Sequence, residues 1–153
     1  AISGLSKMKT AAEAVDIMIE YTKSGTPQAL RLTSIRCLGT ISTGQTPEKL
    51  GEILEQLEAI AGESFFLTQM AVVGALGQMQ TAQAISLLND LAAQTADGRV
   101  RRRAEEAVEK VQKNLGAEQA VKELRTELDQ LKQANQDLTS RLAKLEVAAK
   151  TGE

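Results

Sequence analysis

The sequence contains no histidine and no tryptophan, and only two phenylalanines and one tyrosine occur among its 153 residues. Without histidine the chain has no imidazole to act as a general base, and it has no His-Glu-x-x-His zinc site. The shortage of aromatic residues predicts an aliphatic core and leaves few rings for nucleic-acid bases to stack on. We therefore expect a chain that performs no catalysis and holds no cofactor of its own.

The single cysteine, Cys37, rules out an intrachain disulfide and suits a reducing compartment, so we expect a cytoplasmic protein. As a nucleophile Cys37 would need a nearby base, and its place on an apolar helix face predicts a packed side chain instead. No apolar run reaches the roughly 18 residues of a membrane span, and no signal-peptide pattern is present. The chain begins with Ala1, which we interpret as a sign of processing or, preferably, of excision from a longer protein.

Charge is nearly balanced, with 18 basic and 20 acidic residues and a net charge of −2. This balance gives no overall attraction to nucleic acid or to an anionic membrane, and we expect neither as a partner. Rows of glutamate opposite apolar stripes, such as Glu48, Glu52 and Glu55, are interpreted as solvated helix faces rather than as acid pairs or cation sites.

Only two prolines occur, Pro27 and Pro47, which leaves long stretches free to form helix. Each follows a threonine, and this pair predicts a helix start with the hydroxyl as cap and proline in the first turn. Apolar residues three to four positions apart predict six helices over about residues 5–115. Further helix caps are predicted at Ser64, Thr81 and Asp97.

One helical pattern occurs three times, in residues 36–41, 74–79 and 106–111. The copies are 38 and 32 residues apart. Recurrence at such an interval is typical of stacked helix pairs, because one pair cannot bury its apolar face without neighbours. We therefore predict an all-α fold, an α-solenoid of three helix pairs. Gly39 and Gly77 fall inside predicted helices, where glycine costs about 0.5–1 kcal/mol relative to alanine. We attribute both to close helix approach, with a tolerated glycine near a fraying end as the alternative.

Residues 97–108 resemble the second helix of a HEAT repeat, whose pattern is Asp-x-x-Val-Arg-x-x-Ala-x-x-Ala-Leu. The triplets Ala75-Leu76-Gly77 and Cys37-Leu38-Gly39 are similar to the closing Ala-Leu-Gly of that family. The two earlier copies depart from the pattern, with Thr68-Gln69 and Leu30-Arg31 in place of Val-Arg. The resemblance implies a HEAT-like solenoid that holds a protein or peptide on its surface.

More narrowly, helical repeats followed by a charged tail resemble the C-terminal region of some bacterial zinc aminopeptidases of the membrane alanine aminopeptidase family. That resemblance covers about residues 5–115 and implies a non-catalytic accessory segment that shapes access to a catalytic domain. Zinc and the upstream domains would then belong to the longer parent chain. The alternative is a stand-alone HEAT-repeat scaffold that binds protein.

From Ala117 onward the apolar spacing alternates between three and four residues, which is the heptad pattern of a coiled coil. We predict a coiled-coil helix over residues 117–149 and a tail over 150–153. Because the chain has no second heptad segment, this helix needs a partner, and we expect a homodimer. The predicted dimer interface is Val121, Leu124, Leu128, Leu131, Asn135, Leu138, Leu142 and Leu145. The alternative is a single helix packed on its own solenoid.

The polar positions of the heptads favour a parallel pair. With Val121 at position a, Asn135 also occupies a, where an asparagine that meets its own copy specifies two strands and their register. Glu127 would face Lys132 of the partner, and Arg141 would face Glu146. Each such exposed pair contributes only about 0.2–1 kcal/mol, so these pairs select orientation rather than supply stability.

A cluster of four arginines, at positions 99 and 101–103, is the one feature suited to binding phosphate. Three glutamates follow within a turn or two and supply local partners, so nucleic-acid binding is the third and weakest hypothesis. The HEAT resemblance implies that the arginine at position 101 contacts a neighbouring repeat. We name Arg101 and Arg102 as candidate inter-repeat or anion contacts.

Overall fold

The computed structural model describes the backbone of residues 12–151 and the side chains of residues 12–145. Four predictions fall outside these described residues. They concern the start of the first helix near residue 5, the side chain of Glu146, the side chains at the end of the coiled coil up to residue 149, and the end of the tail.

The described residues form helices joined by short turns, and no strand occurs among them, so the predicted all-α fold is confirmed. The helices are α1 (Ala12–Thr22), α2 (Gln28–Ile41), α3 (Pro47–Ala61), α4 (Phe66–Leu76), α5 (Ala82–Gln94) and α6 (Gly98–Thr151). The sequence predicted separate helices before and after residue 116, whereas α6 is continuous through Gly116. One glycine without a following proline lowers helix propensity by only about 1 kcal/mol, which does not end a helix.

Three of the predicted caps are present. The Thr46 hydroxyl accepts a hydrogen bond from the backbone N–H of Lys49 at 3.3 Å, with proline at the first helical position. The Thr81 hydroxyl accepts from the second residue beyond it at 3.4 Å, and Asp97 Oδ1 accepts from the backbone N–H of Arg99 at 2.9 Å. Each bond satisfies a backbone donor that the first helical turn leaves without a partner.

Two predicted caps are wrong. Pro27 and Phe65, not Thr26 and Ser64, are the residues that precede α2 and α4, and neither makes a side-chain cap bond. Pro27 has extended backbone, with φ −51° and ψ 131°, so its helix begins one residue later than predicted. Both cases show that a serine or threonine in the sequence locates the start of a helix only to within a residue or two.

The chain divides into two compact units between Leu115 and Gly116. In the first unit, α1, α3 and α5 pack side by side as the first helices of three pairs, and α2 packs on α4 in a second layer. The first turns of α6 join the same core through apolar residues from Val100 to Val111. The core is aliphatic, as predicted, and its largest fully buried side chains include Met18, Ile35, Leu38, Ile41, Ile53, Leu57, Leu76, Met79 and Leu88.

Cys37 is buried in this core, in keeping with the packed role predicted for it. The buried polar side chains of the described residues are uncharged, and every one of their buried nitrogen and oxygen atoms has a hydrogen-bond partner. The core of the first unit therefore contains no unpaired polar group, within the described residues, that would call for a ligand.

Close approach explains the glycine in α2. A Cβ added to Gly39 would lie 2.5 Å from the Cα of Ala75 and 2.8 Å from its carbonyl carbon, which no real side chain tolerates. Gly77 lies at the C-terminal end of α4 rather than inside it, and a Cβ added there would lie 3.2 Å from the Cβ of Ala107. The predicted close approach is confirmed for Gly39, and Gly77 combines it with a helix end.

In the second unit, every side chain from Gly116 to Leu145 is exposed. Two threonine hydroxyl groups of this helix donate to carbonyls one turn earlier, Thr126 to Lys122 at 3.0 Å and Thr139 to Asn135 at 2.8 Å.

Candidate interaction surfaces

The second helices of the first two pairs are joined by a polar contact beside the glycines. The Thr40 hydroxyl lies 2.8 Å from Oε1 of Gln78 and donates a hydrogen bond to it. These two residues follow Gly39 and Gly77 in their respective repeats. Equivalent positions of successive repeats therefore meet, which is the geometry expected when one unit stacks repeatedly on the next.

Arg31 links the first helix pair to the second. Its Nε donates to the carbonyl of Thr22 at 2.6 Å, which satisfies a carbonyl at the end of α1. Its two terminal nitrogens donate to the two carboxylate oxygens of Glu63, one of them at 2.8 Å. The hydrogen bonds from Arg31 lower the pKa of Glu63 below its ordinary value. Such a two-pronged charged pair is among the stronger and more directional polar contacts in proteins.

Arg101 makes the corresponding bond in the third pair. Its Nε donates to the carbonyl of Ala92 at 3.2 Å, nine residues earlier, as Arg31 does to Thr22. Its Nη2 donates to the carbonyl of Thr95 at 3.1 Å. These bonds lie within one helix pair, and the inter-repeat or anion-binding role of Arg101 stays a prediction.

The other three arginines of the cluster have acidic partners. Arg102 and Arg103 both donate to Glu106 at 3.1 Å, and their hydrogen bonds lower the pKa of that carboxylate. Arg99 pairs with Asp97 at 2.7 Å, and this hydrogen bond is the main reason that the pKa of Asp97 falls to about 2. Each of the four guanidinium groups donates to a protein oxygen, and three of them pair with a carboxylate close by in the sequence.

Several contacts of this unit were not predicted from the sequence. The Arg99 guanidinium stacks over the ring of Phe66 in the preceding pair, 4.1 Å from its centre. The bond between Arg31 and Glu63 was also missed, although Leu30-Arg31 stands where the HEAT pattern has Val-Arg and was a signal that could have found it. No local pattern pointed to Phe66.

The predicted dimer interface forms an apolar stripe along the second unit. Its aliphatic side chains are between 50% exposed, at Val121, and 68% exposed, at Leu131. Asn135 lies among them and is also exposed. The Nζ of Lys132 lies 4.0 Å from Oδ1 of Asp129, one turn earlier, so the ammonium already has a carboxylate partner on its own helix. The eight predicted positions together form the heptad stripe.

Repeated helix pairs that stack through equivalent positions define an α-solenoid. The sequence model of HEAT repeats matches residues 15–109, which is more than half of the chain, and the protein belongs to that family. No curated protein and no solved structure matches the chain.

The described residues include no membrane-spanning helix and no metal-binding cluster of side chains. None of the helices is long and apolar enough to cross a membrane. No cluster of three or more cysteine or carboxylate side chains there could hold a metal ion. The expectation that this chain carries no cofactor stays a prediction.

Proposed function

We propose that this HEAT-repeat protein is a non-catalytic scaffold that holds a protein or peptide on its solenoid and pairs with a second copy through a parallel coiled coil. The observation that supports pairing is the exposed heptad stripe. Covering a leucine or valine side chain stabilises an assembly by up to about 1.5–3 kcal/mol. Seven such side chains at least half exposed on one helix face are a strong driving force for association.

Asn135 favours the parallel arrangement of two copies. In a parallel pair, position a meets position a of the partner, so the two Asn135 side chains can hydrogen-bond to each other. In an antiparallel pair, position a meets position d, and here each d position from 124 to 145 is leucine. An amide against leucine would lose its hydrogen bonds to water without replacement, which is costly.

The flanking charges support the same arrangement. In a parallel pair Glu127 faces Lys132 of the other copy, and both side chains are exposed in the single chain. Because no pair of like charges opposes self-association along this helix, a homodimer is the proposed assembly rather than a heterodimer.

The experiment is a comparison of two double variants by size-exclusion chromatography with light scattering. Leu131→Glu combined with Leu138→Glu places charge on the heptad stripe and should convert the dimer to a monomer. Gln133→Glu combined with Ser140→Glu places the same charge on the outer helix face and should leave the dimer intact. A wild-type monomer at tens of micromolar, or equal effects of both variants, would refute the proposed pairing.

The finer proposal is that the module is the C-terminal accessory segment of a zinc aminopeptidase, and it rests on the sequence resemblance. A native reading frame with a zinc-peptidase domain upstream would support it. A reading frame that encodes little beyond these residues would favour a stand-alone scaffold. In either case the isolated chain should hydrolyse no aminoacyl anilide, with or without added zinc, and hydrolysis would overturn the non-catalytic role.

Nucleic-acid binding gains no support from the arginine geometry, because three of the four guanidinium groups pair with a nearby carboxylate that offsets their charge. The combined variant Arg101→Ala/Arg102→Ala tests it. Any salt-dependent affinity for DNA or RNA that falls in this variant would restore the hypothesis.

A further inference from the structure

Charge in the first unit is separated by helix layer. The first helices of the pairs, α1, α3 and α5, carry eight acidic residues and one basic residue. The second helices, α2, α4 and α6 up to residue 115, carry eight basic and three acidic residues. The near-neutral net charge of the chain therefore hides one strongly acidic surface, which would attract a basic partner.

A groove of about 320 Å³ lies between α3 and α5 on this acidic side. Its buried part is apolar, with Leu54 only 6% exposed and Leu87 half-buried. Gly51 keeps the groove open, because a Cβ added there would meet no atom within 4 Å. The absence of a side chain at this position is therefore not required by helix packing, unlike that at Gly39.

Three exposed carboxylates line the same groove, Glu55 and Glu58 from α3 and Asp90 from α5. None of the three has an ion-pair partner among the described residues, and the groove lining includes no basic side chain there. On the same layer, by contrast, Asp16 and Glu52 both pair with Lys49 at 2.7 Å. The groove thus combines an apolar base with three carboxylates that have no cation.

We infer that this groove between α3 and α5 binds a basic amphipathic segment of a partner protein. An aliphatic side chain of that segment would pack against Leu54 and Leu87, and lysine or arginine residues on either side would pair with the three carboxylates. The same charge excludes nucleic acid and anionic lipid, since both would be repelled. The inference rests on the proposed role as an interaction module and names the surface and the chemistry of its partner.

The test uses the full chain and a fluorescent synthetic helix made of leucine, alanine, lysine and arginine, with binding followed by anisotropy at low salt. Gly51→Leu fills the groove without changing charge and raises helix propensity, so the fold should be retained. It should weaken binding by at least about tenfold, or 1.4 kcal/mol. The matched control is Gly74→Leu, which faces equally open space in a groove between α4 and α6 and should bind normally.

A second pair of variants tests the carboxylates. The groove variant is Glu55→Gln/Glu58→Gln/Asp90→Asn, and the control is Glu13→Gln/Glu48→Gln/Glu109→Gln. Both raise net charge equally, and only the groove variant should lose at least about tenfold in affinity and most of the salt dependence. Equal losses in groove and control variants, or a peptide of inverted charge that binds as well, would overturn the inference.

Failure of the groove and failure of the coiled coil are distinguishable in the same samples. If the chain is a dimer by light scattering but does not bind the peptide, only the groove proposal is refuted. A monomer that binds the peptide with the expected variant pattern refutes the pairing alone.

Discussion

Gly39 of α2 packs directly against the backbone of Ala75 in α4, with no room between them for a methyl group. One repeat later, Gly77 and Ala107 occupy the same places, and there an added Cβ would lie 3.2 Å from the alanine Cβ. In the third copy an exposed glutamate, Glu109, stands where the first two have glycine. The close contact therefore occurs twice, between the second helices of the first and second pairs and between those of the second and third pairs. The third repeat has a charged side chain at the glycine position.

Substitution of Gly39 by alanine should destabilise the protein. The new methyl group would overlap the Ala75 backbone, and forcing extra atoms into a packed interface costs about 1–3 kcal/mol or more. This cost exceeds the gain of roughly 0.5–1 kcal/mol in helix propensity. Urea unfolding at 25 °C measures the net change.

Gly74→Ala is the matched control, since it lies in α4 and an added Cβ meets nothing within 4 Å. It should raise stability by about 0.5–1 kcal/mol through helix propensity alone. If the two variants shift unfolding in the same direction, close packing at Gly39 is not what stabilises the stack.

The Arg31–Glu63 pair should show a measurable coupling energy. A double-mutant cycle with Arg31→Met and Glu63→Gln is expected to give about 1 kcal/mol, because the pair is two-pronged and partly buried. The exposed pair of Lys23 with Glu20 should give no more than about 0.5 kcal/mol. A coupling at Arg31 no larger than at Lys23 would mean that this arginine does not hold the first two repeats together.

Asp97 should make stability depend on pH in the acid range. Its pKa in the folded protein is about 2, below the ordinary 3.8, because Arg99 donates side-chain and backbone hydrogen bonds to the carboxylate. Its stabilising contribution is therefore complete above the ordinary pKa and is lost as the pH falls through about 2.

Asp97→Asn keeps the cap but removes the charge, so its stability deficit should shrink as the pH is lowered from 5 to 2. Thermal unfolding across this range measures the difference. Arg99→Met should reduce the same pH dependence. A deficit of constant size at every pH would contradict the assignment.

Asn135→Ile should raise the melting temperature and weaken the preference for two strands. The amide specifies a dimer at a cost in stability, and isoleucine at that position removes both effects. Circular dichroism gives the melting temperature, and light scattering gives the mass. Gln136→Ile, on the adjacent outer position, should leave the mass unchanged. A variant that melts higher but remains strictly dimeric would refute the role of the asparagine.

Removal of residues 117–153 should produce a smaller assembly without loss of the repeats. The helical signal per residue of the remaining chain should be retained, because its core lies within residues 12–115. An unchanged assembly after truncation would place the dimer contact on the solenoid instead.

Much of the fold was predictable because its signals are local. Residues three to four apart share a helix face, so the apolar spacing was enough to predict the helices, and Thr46 and Thr81 marked two of their starts. The stacking of pairs was predictable because the same small residues recur, as Gly39 and Gly77 do. The wrong caps at Thr26 and Ser64 reflect the small free energy that separates a helix start from its neighbour.

The polar contacts of the candidate surfaces were less predictable. Arg101 and Arg102 were conspicuous because they stand in a cluster of four arginines. Their bonds, however, stay within the third helix pair. The bond from Arg31 to Glu63 joins residues 32 positions apart, and that from Thr40 to Gln78 joins residues 38 apart. Such partners depend on how the pairs stack, and no spacing rule within a helix contains that information.

Periodicity along the chain was therefore sufficient to predict the helices of the first unit and their pairing into repeats, because helix geometry relates only near neighbours. The coiled coil of the second unit stays a prediction. Three-dimensional packing decided which faces meet: that Gly39 touches Ala75, that Arg31 reaches Glu63, and that acidic helices share one layer. Those relationships join residues in different repeats, and their free energy comes from burial and charge pairing that exist only after the repeats have stacked.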